Sequence, residues 1–358
     1  GAFQPLLVDK LHLSLKQAGI LGGLLIFFSS VMQPAYGYLS DRFHTRMFSA
    51  LAPAMAGIFI SLLVVAPTYG WLLVMAALGG AGIASFHPQA SAWATAGIEA
   101  NKGRWMAIFI SAGTLGMAFG PTYFSTIVAV LGATQARWAA VPGVLTTIAL
   151  LMFLPMAPAP EPHLRNRVNW AVLRSVWKPL TVLYFLVFIR SIIQITFAQF
   201  LPLYLHQERG FSITDANYAL SLYLTFGALG GFAGGHLADR FGGRRIIMIS
   251  MIGCVPFLAL FFLGQGIAAM AGLAGGGLLL LFTIPVNVVM AQELAPGQAG
   301  TVSALMMGFA WGMAGLLFVP LTGFLSDTWS LHSTLSALLV FPLIGFFLTF
   351  GLKKSNIA

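Results

Sequence analysis

The sequence predicts an all-helical integral membrane protein made of two matched helical bundles. Three observations carry that expectation. The 358 residues are 58% hydrophobic and only 8% charged, with a mean hydropathy of +0.89; a water-soluble domain carries about 25% charged residues. Apolar stretches of about 20 residues, enough to cross a bilayer at a rise of about 1.5 Å per residue, recur along the whole chain. Landmarks of the first half return in the second at an offset of about 198 residues. Two halves of like topology, related by an axis along the membrane normal, are a transporter architecture.

In order, residues 1–8 read as the tail of a helix, so most of the first helix of a twelve-helix parent is expected to be missing from this chain. Full spans follow at about 18–39, 47–66, 71–94, 106–131 and 138–156. Residues 157–178 form a polar linker, Pro-rich at its start, with a short amphipathic surface helix expected over Asn169 to Lys178. Spans resume at about 180–205, 216–237, 246–264, 267–292, 301–324 and 333–352. The domains are therefore 1–156 and 179–358, an N-terminal and a C-terminal transmembrane bundle, joined by the linker.

Four landmarks define the repeat. Gly37 to Arg46 (GYLSDRFHTR) returns as Gly235 to Arg245 (GHLADRFGGRR), pairing Asp41 with Asp239. Pro88 answers Pro285, Gly113 to Pro121 answers Gly312 to Pro320, and Phe3-Gln4-Pro5-Leu6 answers Phe200-Leu201-Pro202-Leu203.

The net charge of +9 sits in short loops between apolar spans, which speaks against nucleic-acid binding. Lys and Arg crowd one set of loops, including Arg42, Arg46, Lys102, Arg104, Arg165, Arg174, Arg240, Arg244, Arg245 and Lys353; the opposite set holds Lys10, Lys16, Arg137 and Arg209. The positive-inside bias puts the linker and the C-terminus in the cytoplasm. The one cysteine, Cys254, allows no intrachain disulfide. No metal cluster or nucleophile–base pair stands in the spans, so neither an enzyme nor a cofactor is expected.

Arg190 is the main functional candidate, because it sits near the middle of the span Leu180–Leu205. An arginine at that depth costs about 3 kcal/mol on insertion scales. Such residues turn to a partner or a polar cavity, and Gln194 lies one turn on along the same face, followed by Phe197 and Leu201. The expectation is a central water-filled cavity where Arg190 anchors an anionic or polar solute and Gln194 assists. A structural pairing that locks two helices is the alternative. His87 precedes Pro88, which frees a carbonyl at membrane depth; His87 is a candidate for substrate or proton binding. Asn287, Tyr184, Trp93 and Trp311 are further cavity candidates.

The doubled Gly-x-x-x-Asp-Arg element resembles the loop pattern of the major facilitator superfamily. Asp41, Arg42, Arg46, Asp239, Arg240, Arg244 and Arg245 are expected to latch one face, with His44 and Thr45 departing from the pattern in the first copy. Gly116-x-x-x-Gly120-Pro121 resembles the motif of that superfamily's antiporters, as a helix-packing surface; Phe124 and Ser125 replace its trailing glycines. The stretch Gly79 to Ser91, with Phe86-His87-Pro88 at its centre, together with Gly1 to Leu7 and the Arg190 helix, resembles the fosmidomycin resistance protein family. The resemblance implies the major facilitator fold, a bacterial inner-membrane location, a monomer, and proton-driven efflux of small drugs, fosmidomycin being an anionic phosphonate. Gln89 stands where the family often has an acid and joins the substrate-binding candidates. The expected partners are a small-molecule substrate, protons and membrane lipid. Import of a small organic anion is the first alternative, and a lipid scramblase or membrane enzyme the remote one.

Overall fold

A computed structural model describes residues 1–43, 45–94, 102–154, 170–295 and 298–352. No strand occurs among them. The N-terminal half comprises α1 (Gln4–Leu11), α2 (Leu15–Ile26), a π-helical turn (Phe27–Val31), α3 (Gln33–Phe43), α4 (Met47–Leu62), α5 (Tyr69–Trp93), α6 (Lys102–Leu131) and α7 (Val141–Phe153). A short helix, α8 (Trp170–Ser175), lies where the surface helix is expected. The C-terminal half comprises α9 (Trp177–Arg209), α10 (Ile213–Phe241), α11 (Gly243–Leu263), α12 (Gly266–Leu281), α13 (Thr283–Leu294), α14 (Ala299–Ser303), a second π-helical turn (Ala304–Ala310), α15 (Trp311–Thr328), α16 (Leu331–Ala337) and α17 (Val340–Leu348).

Among the described residues, ten helices are long and apolar enough to cross a membrane. The eleventh expected span is α10, 29 residues long but interrupted by polar residues such as Asn217 and His236. Punctuation is local. Ser14 and Gln17 form a capping box at the start of α2. Gly210, at φ 72°, ends α9 in the left-handed conformation that glycine adopts freely. Prolines lie inside α4, α6, α9, α11 and α15, where each removes a backbone donor and bends the rod.

Helix α9 is strongly enclosed, with every residue from Ile189 to Phe197 buried. Around its far third, Phe197, Tyr204, Phe261 and Phe262 pack ring on ring at 5.0–6.3 Å. Inside lipid this close packing, rather than a hydrophobic drive, holds helices together.

The halves meet along two seams, α2 on α15 and α6 on α10. The first is a glycine seam. A Cβ on Gly19 would lie 2.8 Å from the Val319 carbonyl oxygen, and Gly23 sits against the Pro320 ring. The seam runs from Leu15 beside Asp327 to Ser30 beside Gly312, about 22 Å of helix. In the second, the Thr122 hydroxyl and amide reach the Ser221 hydroxyl at 2.8 and 3.1 Å. Hydrogen bonds joining the halves gather at the end away from the linker, hereafter the far end. There Asp327 accepts from the Leu15 and Lys16 amides, Asn217 donates to the Ala2 carbonyl, and Gln4 donates to Gln199. Toward the linker end α3 leaves α15 and packs on α5 of its own half. The described halves therefore close at the far end and part toward the linker.

Candidate functional site

Helix α9 holds Arg190 by geometry that the sequence dictates. Residues 190, 194, 197 and 201 repeat every three or four positions and form one stripe. The Phe197 ring on that stripe lies 5.7 Å from the Tyr223 ring of α10. The opposite stripe, through Tyr184, Phe188 and Gln199, meets Phe309, Phe318 and Gln4. Arg190 therefore faces into the C-terminal half, where it is 5% exposed, and not into an open vestibule between the halves. In this state the expected wetting of its side chain is absent, because α9 and α10 close over it.

The guanidinium has partners but no acid. Its Nη1 donates to the Gln194 side-chain oxygen, and Nη2 donates to the Ser191 hydroxyl at 3.1 Å. Its Nε has no partner. Tyr223 lies within electrostatic reach, fully buried, with its own hydroxyl unpartnered. The described acids Asp9, Glu208, Asp215, Asp239, Glu293 and Asp327 all sit near helix ends, and among the described residues the single ion pair is that of Asp9 with His206. A buried cation with one donor unpartnered is a ready receptor for an anionic oxygen.

The other sequence candidates separate. His87 lies on the face of α5 that carries Gly80, which packs against Leu25 and Phe28; two turns on, His87 is exposed, its ring 5.9 Å from that of Phe86. Gln89, expected as a solute ligand, is hydrogen-bonded within the N-terminal half in this state. Its carbonyl accepts from the Ser49 hydroxyl at 3.0 Å and the Ser49 amide at 3.3 Å, and its amide donates to the Thr45 carbonyl at 2.5 Å. Both ends of the side chain are spent joining α5 to the start of α4. Asn287 is fully buried with both amide atoms unpartnered. Tyr184 packs in an aromatic row with Phe188 and Phe309, Trp311 is half-buried, and the Trp93 indole nitrogen has no partner.

Among the described residues, the latch arginines and Asp239 show no contact across the halves. Arg46 donates to the Leu154 carbonyl, and Arg244 donates to the Thr349 carbonyl at 3.1 Å, each within its own half. Arg42, Asp239, Arg240 and Arg245 are exposed. The Asp41 side chain and His44 lie outside the described residues, as does most of the Pro-rich linker. The linker end is parted, which keeps the two copies from engaging. At the expected packing motif, a Cβ on Gly116 or Gly120 would meet nothing within 4 Å in this state, whereas Pro121 is buried. That glycine face is open among the described residues, and close helix contact comes instead from Gly19, Gly23 and Gly323.

Sequence reasoning missed Ser191, Tyr223, the Asp9–His206 pair and the Asp327 cap. Ser191 was adjacent to Arg190 and could have been included. Tyr223 had no signal, because only the fold sets α10 against the Arg190 stripe.

A profile for the Major Facilitator Superfamily matches residues 1–319 and, in a second match, 183–357. The chain belongs to the Major Facilitator Superfamily. Among its superfamily relatives, an uncharacterized MFS-type transporter, YfnC of Bacillus subtilis, is 32% identical over 355 residues, spanning 96% of this chain and 86% of the relative. The fosmidomycin resistance protein of Escherichia coli is 28% identical over 361 residues, with the same two coverages of 96% and 86%. A solved structure of a bacterial homolog to the human lysosomal transporter Spinster, in an inward-facing and occupied conformation, superposes with a TM-score of 0.77 at 15% identity, covering 98% of this chain and 91% of that one. This major facilitator chain is thus a multi-pass bacterial membrane protein and a secondary transporter.

Proposed function

We propose that this transporter moves a small anion by alternating access, with Arg190 as the anchor and Gln194, Ser191 and Tyr223 around it. The observation that carries the reading is the buried guanidinium with an open Nε and no described acid to neutralise it. Retaining an unneutralised arginine at this depth costs about 3 kcal/mol, and an arriving carboxylate or phosphonate repays that cost with charge-assisted hydrogen bonds. In the described state the site is shut; solute reaches it when α9 and α10 shift with the rocking of the halves.

Likeness to the fosmidomycin resistance protein favours proton-coupled efflux, and exposed His87 supports a role in proton or solute binding. The Lys/Arg bias puts the linker end in the cytoplasm, which makes the described state inward-facing. The protein is read as a monomer in a bacterial inner membrane. The test is uptake into proteoliposomes under an imposed pH gradient, with fosmidomycin as probe, comparing the parent with Arg190→Gln and His87→Ala. Solute driven against the inward proton flow means antiport, and accumulation with it means import. Equal transport by Arg190→Gln at equal abundance removes the anchor.

A further inference from the structure

We infer that His206 and Asp9 form a proton-binding site that fastens the far end of the two halves. Asp9 belongs to α1 of the N-terminal half and His206 to the end of α9, so their 3.0 Å contact crosses the halves. The chemistry fixes its proton count. His206 Nδ1 lies 2.8 Å from the Phe211 carbonyl oxygen. A carbonyl only accepts, so Nδ1 carries a hydrogen. In a neutral ring Nε2 then bears a lone pair, which would point at the carboxylate oxygen of Asp9, acceptor against acceptor. The contact holds only when one more proton sits on the pair, as imidazolium with carboxylate or as imidazole with carboxylic acid.

Apart from His12, the other described charged groups at this end engage different partners, Arg137 donating to the Gln135 side-chain oxygen at 3.3 Å. From α1, Lys10 donates to the Val64 and Ala66 carbonyls at 2.8 and 3.2 Å. On α9, Glu208 accepts from the Leu331 and His332 amides, and Arg209 donates to the Tyr204 hydroxyl and to the Phe261, Phe262 and Gly264 carbonyls. Asp215 accepts from Ser212, and Asp327 from the Leu15 and Lys16 amides. On α16, His332 meets the Tyr204 hydroxyl through Nδ1. Lys16 lies over the Phe324 ring, and His12 ends α1.

Linkage sets the sign. The closed far end holds the extra proton, and an open far end parts Asp9 from His206 and loses it. Falling pH in the far compartment therefore favours closure, and rising pH favours opening. The side chains are 27% and 49% exposed, so the proton comes from and returns to that same compartment. The pair senses pH there and carries no proton across. A partly exposed ion pair of this kind moves the closed-to-open ratio by about two- to fivefold.

This inference rests on the alternating-access reading and is independent of Arg190. The test places spin labels at Thr68→Cys and Ile267→Cys, two exposed far-end positions on opposite halves, in a Cys254→Ser background in nanodiscs. Distances are recorded across about pH 5–8, where histidines change charge. The parent is expected to gain short distances as pH falls. His206→Gln is expected to lose that response. Asp9→Asn is expected to stay closed at high pH, because its amide donates to the bare Nε2 without a proton. A response that survives His206→Gln, or that disappears only in His332→Gln, overturns the site. Asp327→Ala, which breaks a different cross-half contact, is the control. If it lengthens the distance while pH does nothing, the proton latch alone fails; if neither changes it, the far-end gate and the latch fail together.

Discussion

Asp327 gives the sharpest test of how the halves are held. Its two carboxylate oxygens accept from the Leu15 and Lys16 amides at 2.8 and 2.9 Å. These are the first two amides of α2, which have no partner within their own helix. Ser14 satisfies Gln17, so α2 is capped from its own chain at one amide and from the opposite half at two. The carboxylate also sits at the positive end of the helix dipole. Loss of such a cap costs about 1 kcal/mol, toward the lower part of the range here because water can replace it at an exposed site. Asp327→Ala should therefore multiply the population open at the far end by about fivefold. The reporter is a cysteine at Val319, which is fully buried against Gly22, in the Cys254→Ser background. Alkylation of that thiol by a membrane-impermeant maleimide requires the seam to open, so its rate follows the open population. Asp327→Asn, which keeps one acceptor oxygen, should fall between the two. If Asp327→Ala leaves the alkylation rate at the parental value in protein of unchanged stability, the cap does not hold the gate.

Three further outcomes follow from the same geometry. Arg190→Gln should lower transport by about 10- to 100-fold, the worth of a charge-assisted hydrogen bond, while the thermal midpoint in detergent stays level or rises because a buried charge is gone; a fall in the midpoint with normal transport would mark Arg190 as purely structural. Gly19→Val sets side-chain atoms against the Val319 carbonyl and should abolish the short far-end distances between labels while the protein still inserts; retention of the parental distance distribution contradicts the glycine seam. Gln89→Leu should cost about 1 kcal/mol of stability per membrane hydrogen bond lost, seen as a lower thermal midpoint, with the apparent KM for fosmidomycin unchanged; a raised KM would return Gln89 to the solute site.

The architecture was legible because membrane helices announce themselves by length and apolarity, and because the repeat offset ties the halves together. Arg190 and Gln194 were legible as a pair, since i and i+4 share a face in any helix. The direction of that face was not. It depends on which neighbours α10 and α15 present, and no periodicity within α9 distinguishes the Phe197 side from the Phe188 side. The partners of Gln89 are hidden from the sequence for a related reason: a polar residue in a broken helix is equally suited to a solute or to a neighbouring backbone, and only the fold brings Thr45 and Ser49 beside it. Gly116 and Gly120 show the converse. Small residues permit a close approach but do not compel one, and the close approach fell to Gly19, Gly23 and Gly323 instead.

The two π-helical turns join the gate to the opening. One follows α2 at Phe27–Val31, and the other precedes α15 at Ala304–Ala310. They belong to the two helices that form the glycine seam, and they lie where that seam ends, with Ser30 against Gly312. A π turn widens the helix and weakens its regular hydrogen bonding, and bends concentrate there. On the far side of these turns the helices lie too close for side chains and behave as one body. On the linker side they are free to part. Closing the linker end while opening the far end therefore requires the glycine seam to separate, and the described polar contacts joining the halves across it and the second seam are few: the Asp327 cap, the Asp9–His206 pair and the bonds of Gln4, Asn217 and Thr122. Each contributes on the order of 1 kcal/mol. A gate built of several weak, separable polar contacts over a glycine seam can be reversed by the differential binding of one small solute.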